Sequence, residues 1–124
     1  MSTLTTRVEQ DPDGKIRVML GGSLDTNTAP QFKTTMDEVL KRPPEFLVLD
    51  MQDLGYISSA GIREVFRVVK TVRGKGGVAA MAKLQPSIRK VFDIINALPD
   101  IHIFASYDEM DEYLDHMQRQ TPRE

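Results

Sequence analysis

Ser58 and Ser59 carry the most suggestive chemistry in this 124-residue chain. An apolar run, Phe46-Leu47-Val48-Leu49-Asp50-Met51, leads through a short loop to these two serines, and a helix begins there. Ile62, Val65, Phe66 and Val69 mark that helix by the i, i+3, i+4, i+7 spacing of one buried face. A hydroxyl at such a junction has two uses. It caps the orphan N–H groups of the first helical turn, and, presented at the surface, it offers a protein kinase an oxygen that can take on a large negative charge. On pattern alone Ser58 reads first as a cap, and Ser59 as a first-turn residue.

Other candidates for chemistry give less. Gly55-Tyr56-Ile57-Ser58-Ser59-Ala60-Gly61 does not make the Gly-x-Ser-x-Gly elbow of a serine hydrolase, because Tyr56 and Ile57 stand two residues before the serines. Such a hydrolase would also need an oriented base. Gly74-Lys75-Gly76-Gly77 follows a helix and precedes a strand, the reverse of a phosphate-binding loop. His102 and His116 are isolated and there is no cysteine, so no metal-ligand spacing and no disulfide framework exists.

The elements that position the serines follow from periodicity. Residues 4–9 and 16–20 read as strands joined by the turn Asp11-Pro12-Asp13-Gly14, with Gly21-Gly22 ending the second. The rhythm then becomes helix, strand, helix, strand. A helix starts near Thr28, with Gln31 at capping-box spacing and Pro30 in the first turn. Its inner face is Phe32, Met36, Val39 and Leu40, and Pro43-Pro44 stop it. Strand 46–51, helix 58–73, strand 78–82 and a helix from Pro86 (inner face Ile88, Val91, Phe92, Ile95) come next. A short strand at 101–104 and a last helix follow. That helix has Ser106 and Glu109 at its start, an acidic first turn, and a stripe of Met110, Tyr113, Leu114 and Met117. Residues 119–124 read as a tail behind a single domain spanning 1–118.

This order predicts an α/β fold: a mixed β-sheet, an N-terminal hairpin then mostly parallel, packed with about four α-helices. In such sheets partners meet the rim formed at the carboxyl ends of the strands. The Ser58 corner and the loop Gly22-Ser23-Leu24-Asp25-Thr26-Asn27 share that rim. Asp25 either closes its own loop as an Asx turn or faces a partner, and Thr28 reads as a cap. Arg63, Arg67 and Lys70 form a stripe that is either a solvated face or a docking ridge for an acidic surface.

Placed in this order, the motifs resemble the STAS family, specifically bacterial anti-sigma-factor antagonists. Leu24-Asp25…Thr28-Ala29-Pro30 is similar to that family's first strand-to-helix loop, and Leu47-Val48-Leu49-Asp50…Ile57-Ser58-Ser59-Ala60-Gly61 to its phosphorylation segment. Pro86-Ser87-Ile88-Arg89 and Ile103-Phe104…Ser106-Tyr107-Asp108-Glu109 fall where the family starts its last two helices. The resemblance spans roughly residues 3–117.

It implies a non-enzymatic, cofactor-free module whose Ser58 is phosphorylated by its partner, an anti-sigma factor that is itself a serine kinase and brings ATP and Mg²⁺. The unphosphorylated form binds that partner and frees the sigma factor, and a serine phosphatase resets the cycle. Asp25, Thr28, Ser58, Ser59, Gly61, Arg63, Arg67 and Lys70 would then make the docking surface. Many relatives carry an aspartate just before the target serine, where this chain has Ile57; Asp25 or Asp53 would have to approach the hydroxyl instead. A non-phosphorylated STAS accessory subunit of a transporter or other signalling complex is the alternative on the same fold. A small serine hydrolase is the alternative of another class.

The net charge is −2, with bases scattered among acids, which argues against nucleic-acid binding driven by phosphate neutralisation. No apolar run approaches membrane-spanning length and residues 1–9 lack a signal-peptide core. A cytoplasmic monomer is expected.

Overall fold

β-branched and leucine-rich segments alternate with amphipathic ones along the chain, and each becomes the element its period dictates. A computed structural model describes residues 2–12 and 14–97. The elements are β1 (Leu4–Gln10), β2 (Ile16–Leu24), α1 (Ala29–Leu40), β3 (Phe46–Ile57), α2 (Ser59–Gly74), β4 (Val78–Ala82) and α3 (Pro86–Ala97). The expected strand at 101–104, the last helix with its Ser106 start, the tail and both histidines lie outside the described residues.

The sheet has the order β1-β2-β3-β4. β1 runs antiparallel to β2, whereas β2–β3 and β3–β4 are parallel. This is the expected mixed sheet: a hairpin followed by two crossovers, each carrying one helix. Alternation along the strands sends Val18, Leu20, Leu47, Leu49 and Met51 into one core, where Phe32 and Met36 of α1, Ile62, Val65, Val68 and Val72 of α2, and Ile88 and Val91 of α3 meet them. The Phe66 and Phe92 rings join α2 to α3 edge-to-face, with centroids 6.1 Å apart.

Two strands are longer than their sequence suggests, and the reason is shared. β2 passes through Gly21-Gly22 to Leu24, and β3 continues past Met51 to Ile57, each supplying the other's ladder partners up to Leu24 opposite Ile57. The glycines permit this by bulging. The register shifts between Met19 and Gly21 and again between Gly22 and Ser23, and Gly22 sits at φ +90°, a backbone region glycine occupies without steric cost. A Cβ on Gly22 would collide with the Thr3 carbonyl oxygen, so the hairpin closes here only around a bare Cα. No loop therefore separates β3 from α2. The strand runs directly into Ser58.

Between α1 and α2 lies a chain of charges. Lys33 Nζ reaches Asp37 Oδ2 at 3.0 Å, Arg67 Nη1 reaches Asp37 Oδ1 at 3.1 Å, and Arg67 Nε reaches Glu64 Oε1 at 3.0 Å. Hydrogen bonding from Lys33, aided by the charges of Lys33 and Arg67, holds the Asp37 carboxyl below its ordinary pKa.

Candidate functional site

Ser58 is a single extended residue (φ −100°, ψ 176°) between β3 and α2. It is tied in on every side. Its N–H donates to the Leu24 carbonyl at 2.9 Å, its carbonyl accepts from Ile62 N–H at 2.8 Å, and its Oγ accepts from Gly61 N–H at 3.3 Å. Ser58 is thus the N-cap of α2, filling one of the orphan-donor positions of the first turn. Neither Asp25 nor Asp53 bonds its hydroxyl; the cap does not need an acidic helper.

The corner is not presented at the surface as the sequence suggests. Ser58 is 4 % exposed and Ser59 3 %. The cause is the continued pairing of β2 with β3: because Leu24 still pairs with Ile57, the loop after β2 begins beside the serines rather than below them. Gly61 completes this close approach. A Cβ there would stand 2.6 Å from the Leu24 carbonyl oxygen and 2.9 Å from Ile57 Cγ1, so Gly61 is buried packing between loop and helix rather than an exposed contact.

The loop itself is held by Asp25 and Thr28. Asp25 Oδ1 accepts from the N–H groups of Asn27 (2.9 Å) and Thr28 (3.1 Å), an Asx turn, and the Asp25 carbonyl accepts from Ala29 N–H at 2.7 Å. Thr28 occupies the N-cap position of α1, but its side chain does not cap that helix. Instead Oγ1 donates to the Ser23 carbonyl at 2.8 Å and accepts from Asp25 N–H at 2.9 Å. The expected capping box fails for the same reason. Gln31 does not turn back to its own helix; its Nε2 donates to the Leu4 carbonyl at 2.9 Å and ties α1 to β1.

The cationic stripe divides. Arg63 and Lys70 are exposed, but Arg67 is spent inside the molecule as the bridge between α1 and α2, its side chain 32 % exposed. The structure thus brings Asp25, Thr28, Ser58, Ser59 and Gly61 into one corner. Of these, Thr28, both serines and Gly61 are buried, and Asp25 is half-buried.

Two features of this rim escaped the sequence. The Leu24 carbonyl is a partner of the corner, but a backbone carbonyl carries no residue-type signal. Asp50, buried where β4 ends, accepts from Gln52 N–H at 3.1 Å and lies 3.7 Å from Lys83 Nζ, while Gln85 Nε2 donates to the Gln52 carbonyl at 2.9 Å. These side chains satisfy the β3 edge where β4 leaves it; a charged residue inside an apolar run was the one available hint. Among the described residues no group of three or more His, Cys, Asp or Glu could hold a metal ion. A groove of about 840 Å³ lies between the β1–β2 hairpin (Val8, Ile16) and the end of α1 (Val39, Arg42), at the opposite end of the strands from the serines. Among the described residues no helix is long and apolar enough to cross a membrane.

The STAS domain model matches residues 6–110. The chain belongs to the STAS family. BtrV of Bordetella bronchiseptica, named as an anti-sigma factor antagonist, is 34 % identical over 82 residues, 66 % of this chain and 71 % of that protein. The crystal structure of an anti-sigma factor antagonist from Mycobacterium paratuberculosis superposes with a TM-score of 0.69 at 25 % identity, covering 77 % of this chain and 80 % of that one. The Bacillus cell fate determinant SpoIIAA, solved in its phosphorylated form, shares the fold at 18 % identity and a TM-score of 0.62, over 77 % of this chain and 86 % of its own. This STAS domain therefore places its serine corner in a fold common to proteins named for antagonising anti-sigma factors.

Proposed function

We propose that this STAS domain is a phosphorylation-controlled anti-sigma-factor antagonist, a binding module rather than an enzyme. Its unphosphorylated form binds an anti-sigma factor that is also a serine kinase, and the sigma factor is released into the cytoplasm. The kinase supplies ATP and Mg²⁺, phosphate on the serine corner ends the binding, and a serine phosphatase restores it. The observation that carries this reading is the placement of two adjacent serines at the first turn of α2, with Ser58 capping it. The positive end of the helix dipole favours negative charge there, so the domain can bear a phosphate that its partner's surface cannot accommodate. The names of BtrV and of the Mycobacterium structure support the choice of partner. Arg63 and Lys70, with the Asp25 loop, would border the contact.

Ser58 is the switch in the first reading. The geometry favours a second, in which Ser59 takes the phosphate. Ser58 Oγ already accepts the Gly61 N–H, the role an aspartate plays equally well at an N-cap. If relatives place an acidic residue immediately before their target serine, Ser58 occupies that capping place here and Ser59 follows it. Incubating the wild type, Ser58→Ala and Ser59→Ala with the partner kinase and ATP, then measuring intact mass and partner binding, decides between them. Loss of phosphate uptake in one variant alone identifies the switch. Partner binding with no phosphate uptake by any of the three would sink the proposal in favour of a non-phosphorylated accessory role.

A further inference from the structure

The geometry points to the segment 23–28, the last two residues of β2 and the turn that follows them into α1, as a gate over the serine corner, whose opening controls access of kinase and phosphatase to Ser58 and Ser59. This inference rests on the reading of the corner as a phosphorylation switch, and concerns how that switch is reached.

Phosphoryl transfer brings the serine Oγ in line with the γ-phosphorus of ATP. The new O–P bond forms, the bond to ADP breaks, and the hydroxyl proton leaves to a base on the kinase. That oxygen has to enter another protein's active site to within about 3 Å of the phosphorus. Hydroxyls on residues 4 % and 3 % exposed cannot do so in the conformation described. Something has to move. The β2–α1 loop is the neighbour built to do it. It hangs from Leu24, the last residue of β2, whose carbonyl accepts from Ser58 N–H at 2.9 Å and lies against the bare Cα of Gly61, so opening it also frees the Leu24–Ile57 end of the ladder.

The segment has a hinge and a latch. Just before it, inside β2 and the last position of that strand paired with β1, Gly22 sits at φ +90° beside a shift in the β2–β3 register. Its closed shape is fixed by Thr28 Oγ1, which bonds both the Ser23 carbonyl (2.8 Å) and Asp25 N–H (2.9 Å), and by the Asx turn of Asp25. The tip, Thr26-Asn27, is exposed and available to a partner's touch. A partner that loosens this loop would deliver the serine to its own active site, which couples docking to modification.

The chain has no cysteine, so a single cysteine placed at the corner reports its exposure without any partner. Ser58→Cys and Ser59→Cys are each to be labelled with the thiol reagent DTNB, in the native background, with Thr28→Val added, and with Thr34→Val added. Thr34 donates to the Pro30 carbonyl on the exposed side of α1 and serves as the control. A gated corner reacts about a hundredfold more slowly than the same thiol in the urea-unfolded chain, Thr28→Val speeds labelling about tenfold, and Thr34→Val leaves it unchanged. Labelling at the unfolded rate in the native background, no response to Thr28→Val, or an equal response to Thr34→Val each overturns the gate. Amide exchange at Ser58 and Gly61 in cysteine-free protein, with and without Thr28→Val, gives the same comparison if a cysteine variant fails to fold. No kinase enters these measurements, so failure to take up phosphate would sink the functional reading and leave the gate standing.

Discussion

Gly61 and Gly74 begin alike on paper, two glycines in one helix, and the structure gives them opposite worth. At Gly61 a methyl group would collide with the Leu24 carbonyl, a backbone atom already fixed by the Ser58 N–H, so the loop or the helix must give way. At Gly74 nothing lies within 4 Å. Gly61→Ala is expected to cost about 1–3 kcal/mol, as overpacking of a closed site does, whereas Gly74→Ala should stabilise the fold by about 0.4–1 kcal/mol by narrowing the unfolded ensemble. Urea denaturation of both variants checks the difference in sign. Ser58→Ala removes the cap from α2 and should cost about 1 kcal/mol in the same titration. A Ser58→Ala protein as stable as the wild type would mean that the Oγ–Gly61 bond does not hold the helix start.

The α1–α2 pair shows the same logic one level up. Asp37 accepts from Lys33 on its own helix and from Arg67 on the neighbouring one, and this company depresses its pKa below the ordinary 3.8. A carboxyl depressed in the folded state adds stability that is present above its unfolded pKa and lost as pH falls through the folded value. The gap in melting temperature between the wild type and Asp37→Asn should therefore be open at neutral pH and close below about pH 3.8; a gap unchanged on acidification would show that the charge is not what matters. Because Lys33 and Asp37 are about half exposed and Arg67 about a third, added salt should narrow the gap in part. Arg67 also shows what periodicity can and cannot tell. Its place opposite Ile62 and Phe66 was plain in the sequence, but whether it greets a partner or clasps α1 depends on where Asp37 lies, and that is tertiary. The limits of β4 (Val78–Ala82) and the Pro86 start of α3 could be read directly, since each is bounded by turn chemistry on a regular pattern. Gly21-Gly22 misled, because glycine ends a strand and bulges one with the same freedom, and only the partner strand decides. Thr28 and Gln31 misled likewise: their spacing fits a capping box, but the Ser23 and Leu4 carbonyls, remote or unmarked in the pattern, claimed their side chains.

For the molecule as a whole, the serine corner asks whether a charge can be gained without losing the fold. Ser58 and Ser59 are buried, and a dianion forced to remain buried and unpaired would unfold a small domain. A dianion at the first turn of α2 escapes that fate only by turning outward, with the helix dipole in its favour and the β2–α1 loop displaced to make room. The phosphorylated domain should thus keep its circular dichroism spectrum and a cooperative melt, while amide protection falls locally in residues 23–28 and at Gly61. Binding responds on a different scale. A phosphate facing a partner's apolar or acidic groups loses roughly 3 kcal/mol of docking energy, about two orders of magnitude in affinity. Calorimetric titration of the phosphorylated and unphosphorylated forms against the anti-sigma partner measures that loss, and hydrogen exchange on the same two samples measures the loop. A collapsed melt would mean that the charge acts by unfolding the domain. Unchanged affinity would remove the switch altogether. The expected combination, intact core with a loosened loop and lost docking, requires the corner to be closed when empty of phosphate and open when it carries one. Burial of the serines beside a strand end that bulges at Gly22 is the arrangement that allows both states.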